Sequence, residues 1–144
     1  MAGFEEVVVR LRAMQATAPV AAAAAANAMA ALMTAETMKT LGTSSHSKGT
    51  PTPSSPGDPP SLISGDLRRS VMLIPAVPMA GTATWMAEVY PSAVYARIQE
   101  LGGQTGRGHH TTLPPRPYMA PTVERIRPLL GAAAAAAAAP ILGG

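Results

Sequence analysis

At 144 residues, with only 3% aromatic side chains behind its 47% hydrophobic content, the chain has room for one domain with a small, alanine-weighted core that borrows stability from neighbouring subunits. Its 15 prolines and 13 glycines imply long irregular segments, and the absence of cysteine excludes disulfides and thiolate zinc sites, as suits a reducing cytoplasm. A net charge of +3 tolerates nucleic acid without requiring it, because the basic residues are scattered apart from Arg68-Arg69 and Arg125/Arg127.

Phe4 to Ala16 predicts a short helix with Phe4, Val7, Val8 and Leu11 on one side. Pro19 lacks a backbone donor and is expected to break it. Val20 to Leu41 is made of strong helix formers, with an apolar stripe through Ala28, Leu32, Ala35, Met38 and Leu41 and a stop at Gly42. Ala18 to Met33 imitates a leader or a membrane segment. Glu5, Glu6, Asn27 and a length short of the roughly 20 residues a span requires argue against both readings.

Thr43 to Ser64 is loop by composition, rich in Ser, Thr, Pro and Gly. Leu67 to Ile74 and Thr82 to Tyr90 predict strands, and Val94 to Leu101 a third strand or a strand-to-turn segment closed by Gly102-Gly103. Gln104 to Pro117 is a second long loop. Tyr118 to Leu130 predicts a short helix with Met119, Val123 and Ile126 inward, ended by Pro128. The expected fold class is therefore α+β: a long broken N-terminal helix packed on an antiparallel sheet of about three or four strands, then a short C-terminal helix. One domain covers 1–131, with loops at 43–66 and 102–117, and 132–144 is an alanine-rich low-complexity tail.

Chemistry finds little purchase. His109-His110 lacks a third ligand at useful spacing, so no metal is expected. The stretch "SGDLRRS" lacks the glycine spacing and lysine of a phosphate loop and reads as a turn leading into a strand. No Ser/His/Asp set can be ordered, and the eight acidic residues are dispersed. Neither an enzyme nor a cofactor is expected, and the basic stripe of a nucleic-acid module is missing.

Three stretches taken together carry a likeness. They are "PGDPPSLISGDLRRSV" (Pro56 to Val71), "VYARIQELGG" (Val94 to Gly103) and "LPPRPYMAPTVE" (Leu113 to Glu124). Their order resembles the small neck proteins of long-tailed bacteriophages, variously called head–tail connector, tail-completion or minor tail proteins. The matching positions are Pro56, Gly57, Pro59, Pro60, Gly65, Leu67 and Ser70, then Tyr95, Ala96, Glu100 and Gly102, then Arg116, Pro117, Tyr118 and Pro121. Gly103 stands where such proteins often have Thr, and the alanine-rich tail has no counterpart.

The resemblance implies a structural virion protein, assembled in the host cytoplasm and located in the neck. It would form a cyclic oligomer, a hexamer by analogy, that joins the portal connector or stopper to the tail terminator or tail tube, close to genomic DNA and away from any membrane. Ser55 to Val71 is then a fixed approach to the first strand, with the preceding Ser/Pro loop reaching a partner. Glu100, Gly102, Arg116, Pro117, Tyr118, Arg68 and Arg69 are the expected interface residues. A tail terminator is the neighbouring alternative. A small basic DNA-binding protein is the alternative from another class, and an enzyme using His109 or His110 is the weakest.

Overall fold

The computed structural model describes residues 2–49 and 54–143. Runs of alanine make helix formation cheap at both ends of the sequence. Helix α1 spans Ala2–Thr40, and helix α4 spans Met119–Leu142. Between them lie a one-turn helix α2 (Asp66–Arg69), strands β1 (Val71–Pro78) and β2 (Trp85–Pro91), and a short helix α3 (Ala96–Leu101). Strands β3 (Gly103–Thr105) and β4 (Thr111–Leu113) follow. β1 pairs with β2, and β3 pairs antiparallel with β4 in the register Gly103↔Leu113, Gln104↔Thr112, Thr105↔Thr111. The class is α+β, with the strands divided into two small antiparallel sheets.

Several boundaries differ from those read in the sequence. α1 is not broken, because Pro19 sits inside it. Proline removes one amide donor there, while the Thr17 hydroxyl donates to the carbonyls of Ala13 and Met14, both at 3.2 Å. α4 is likewise not short: it runs through Pro128 and takes in the alanine-rich tail. Half-buried Ala133, Ala134, Ala137 and Ala138 recur at helical spacing, so even an all-alanine face is amphipathic by placement. The stretch expected as a third strand, Val94 to Leu101, instead contains α3, and β1 begins at Val71, after the α2 turn, rather than at Leu67. The predicted loop after Gly103 holds the β3–β4 hairpin.

By length and composition both Gly3–Thr40 and Met119–Leu142 could cross a membrane. The shortness of Ala18 to Met33 therefore carries no weight against a span, since the helix continues on both sides. Asn27, the polar residue in that stretch, has a use of its own: its Oδ1 accepts a hydrogen bond of 2.7 Å from the Ala76 amide of β1.

The chain divides into two compact units. One comprises Met1–Leu32, Ile74–Glu88 and Leu129–Gly144. Its buried residues are small, namely Ala21, Ala26 and Ala30, and the β1–β2 tip is closed by the Met79 amide donating to the Thr84 carbonyl at 2.9 Å. The other comprises Met33–Leu73 and Val89–Pro128. Here Leu41, Leu67, Val71, Ala96 and Tyr118 form the core cluster, flanked by Met38, Val89, Ala93 and Met119. The expected interface residues all fall in this second unit.

Candidate functional site

The second unit is organised around the start of α4. Any helix begins with amides that have no partner of their own. Here the carboxylate of Glu100, near the end of α3, serves them from a distance. Its Oε2 accepts from the Tyr118 amide at 2.7 Å and the Met119 amide at 3.0 Å, and its Oε1 accepts from the Ala120 amide at 2.9 Å. The next residue is Pro121, which has no amide to satisfy, so proline is tolerated there. A negative charge at this end also complements the helix dipole.

Gly102 lets the chain turn directly after α3. Its φ of 68° and ψ of −174° lie in a region open essentially to glycine alone. A Cβ at this position would meet the Pro115 nitrogen at 2.7 Å and the Leu113 carbonyl oxygen at 2.8 Å, both backbone atoms. Gly103 also has a left-handed φ, 138°, which gives the departure from threonine at this position a backbone reason. The Arg116 amide donates to the Gln99 carbonyl at 2.7 Å, and the Gly57 amide donates to the Pro115 carbonyl at 2.9 Å. Pro117 leads into Tyr118, which is fully buried, with its hydroxyl 3.4 Å from the Ala96 carbonyl oxygen. Burial pushes the Tyr118 phenol above its ordinary range, and the charges of Glu100 and Tyr95 add to the effect.

Glu100, Gly102, Arg116, Pro117 and Tyr118 thus meet at one joint. The two arginines of "SGDLRRS" part company. Arg69 pairs with Asp66 at 2.6 Å. A hydrogen bond from the Ser64 hydroxyl and then the Arg69 guanidinium hold the exposed Asp66 carboxyl below its usual range. Arg68 lines a cleft of about 470 Å³ together with Lys48, Leu62, Tyr95 and Gln99. Gly65, with φ 78°, makes the turn before α2. The approach to β1 is held in place, since the Leu62 amide donates to the Ser44 carbonyl at 2.7 Å and the His46 amide to the Leu62 carbonyl at 3.2 Å. Residues 50–53 of the loop that was expected to reach a partner lie outside the described residues.

On the other side of the joint a hollow of about 320 Å³ is lined by Val94, Arg97, Glu100, Leu101 and Met119. Val94 is 99% exposed and Leu101 63%, so apolar side chains face solvent beside a rigid hydrogen-bonded frame. Sequence reading missed a second polar cluster. The Thr40 and Thr122 hydroxyls lie 2.9 Å apart, and Arg125 donates to Thr40 at 2.8 Å and pairs with Glu36 at 3.3 Å. The available signal was Thr37 and Thr40 falling beside the apolar stripe of α1, where a helix of alanine and methionine has little use for threonine. His109 and His110 are exposed in the β3–β4 hairpin. Among the described residues no three His, Asp or Glu side chains converge on a place for a metal ion.

Comparison with family models, curated proteins and solved structures found no match.

Proposed function

We propose that the chain is a structural subunit of a long-tailed phage neck, one of a cyclic set joining the portal assembly to the tail tube, with a mechanical rather than a catalytic role. The observation that carries this reading is the convergence of the three stretches on which the resemblance rests. Gly57 of the first is hydrogen-bonded to Pro115 of the third, and Glu100 of the second caps the helix that the third begins. Residues remote in sequence thus serve one joint, which supports treating the three weak motifs as a single signature.

A ring subunit needs a stiff body and surfaces that remain open until a neighbour covers them. The Glu100 joint supplies stiffness. Val94 and Leu101 beside it, and Phe4, Val9 and Leu11 on α1, are apolar and exposed. Glu100, Gly102, Arg116, Pro117 and Tyr118 hold the joint together, and Arg68 stands on the open cleft as the better placed of the two arginines to meet a neighbour. Sixfold symmetry rests on the resemblance alone.

Cryo-electron microscopy of intact virions carrying this chain tests the proposal. The expected result is a ring of it between portal and tail tube, with 43–66 ordered against another chain. Complete particles with no such ring would overturn the neck reading. Density capping the tail tube alone would select the terminator alternative, and salt-sensitive DNA binding without ring density would favour the nucleic-acid alternative.

A further inference from the structure

The chain's single phenylalanine, Phe4, stands 75% exposed in the first turn of α1. Val7 and Leu11, on the same side of the helix, are exposed as well. An aromatic side chain left in water beside aliphatic neighbours is the kind that anchors an interface. Glu5 and Glu6 follow it directly in sequence.

The complementary surface lies in the second unit. The hollow of about 320 Å³ has accessible apolar walls in Val94, Leu101 and Met119, and Arg97 is exposed at its border. Val94, Arg97 and Leu101 recur at three- and four-residue spacing, so they share one side of α3 and the turn before it. Glu100 also borders the hollow, but its carboxylate is taken up by three amides at the start of α4. Arg97 is thus the charge left for a visitor to meet. Among the described residues neither Glu5, Glu6 nor Arg97 makes an ion pair.

We infer that the first turns of α1 in one copy seat Phe4 in this hollow of the next copy, with Glu5 and Glu6 beside Arg97. The match is double: an apolar anchor meets an apolar hollow, and the acids that flank the anchor meet the arginine that flanks the hollow. The two surfaces differ, so the contact is head-to-tail. Each added copy leaves one anchor and one hollow open, and such a contact ends only by closing a ring. The inference rests on the ring reading and names the contact by which its copies join. Phe4 brings about 150–250 Å² to the contact. A stable interface buries roughly 1,200 Å² or more, so a single contact is weak and gains its strength on closure.

The test is disulfide trapping in the full chain, which has no cysteine of its own. Gly3→Cys places a thiol beside the anchor, where an added Cβ meets nothing within 4 Å, and Val94→Cys places one on the wall of the hollow. The two variants are mixed at a protein concentration on the order of a millimolar, suited to a weak contact, under mild oxidation. The expected result is a Gly3→Cys–Val94→Cys disulfide in excess of either homodimer and of a control with Gly131→Cys in place of Val94→Cys. Adding Phe4→Ser should lower the yield roughly tenfold or more. Arg97→Glu should lower it roughly threefold at low salt, and Glu5→Lys with Glu6→Lys should restore it, which a merely structural role of Arg97 would not allow. Trapping no stronger than the control, trapping unmoved by Phe4→Ser, or disulfides confined to Gly3→Cys pairs would overturn the inference, the last by showing that α1 meets α1. Trapping as expected without a ring in complete virions would uphold this contact and remove the neck reading. A virion ring whose neighbours do not meet through Phe4 and Val94 would do the reverse.

Discussion

Gly102 and Tyr118 show how single side chains, or the lack of one, fix the second unit. Gly102→Ala places a Cβ against two backbone atoms and imposes a φ that L residues avoid. The expected loss is roughly 2–3 kcal/mol in urea unfolding, within the range for such strained positions. A change below about 0.5 kcal/mol would mean that the Pro115 segment is free to move away. Tyr118 acts through its proton. A phenol whose folded pKa is raised contributes stability that is fully present below its unfolded pKa, about 10. That stability is lost as pH rises through the higher folded value. Tyr118→Phe should therefore flatten the decline of stability above about pH 10, at a cost near neutrality of about 0.5–1 kcal/mol for the weak Ala96 bond. Ultraviolet titration of tyrosinate should lose its latest-ionising component in the same variant.

At the scale of elements, the bond between α3 and the start of α4 does what a local capping residue usually does, but from 18 to 20 positions away. Glu100→Ala leaves three amides at the start of α4 without their acceptor, and about 2 kcal/mol of destabilisation is expected, the upper end for a lost cap. Glu100→Gln keeps one acceptor oxygen and removes the charge, so it should lose about half as much. Denaturant unfolding of the two variants separates hydrogen bonding from charge. Equal losses would mean that the single acceptor oxygen left in the glutamine variant contributes nothing without the second oxygen and the charge. This joint was only half legible in the sequence. Glu100, Gly102 and Tyr118 stood out through a resemblance, but Val94 to Leu101 was expected as a strand because Val94, Tyr95 and Ile98 favour one, and eight residues cannot distinguish a period of 2 from one of 3.6. The helix decides, since α3 places Glu100 within reach of α4. Pro19 and Pro128 misled in the opposite direction. Each removes a single helical bond, and the alanines around them carry the helix past the gap.

On the scale of the whole molecule, the distribution of exposure divides α1 in two. From Gly3 to Val20 nearly every residue is exposed, including Phe4 at 75% and Val9 at 66%, whereas Ala21, Ala26, Ala30 and Thr40 are buried. Composition made both halves look equally helical, because propensity does not report which stretch has something to pack against. Helical stability in proteins comes mainly from a packed face, so the first half should open far more readily than the second. In the isolated chain, hydrogen exchange of amides 4–20 is expected to be at least roughly tenfold faster than that of amides 26–40, after correction for intrinsic rates. On the proposed neck reading such a surface is covered on assembly, so the same amides in assembled particles should slow by roughly tenfold or more. Fast exchange that persists in the particle would show that α1 is not where the subunits meet, and would direct attention to Val94, Leu101 and the Arg68 cleft instead. Equal, slow exchange along all of α1 in the isolated chain would mean that the exposed half is already covered by a second copy in solution.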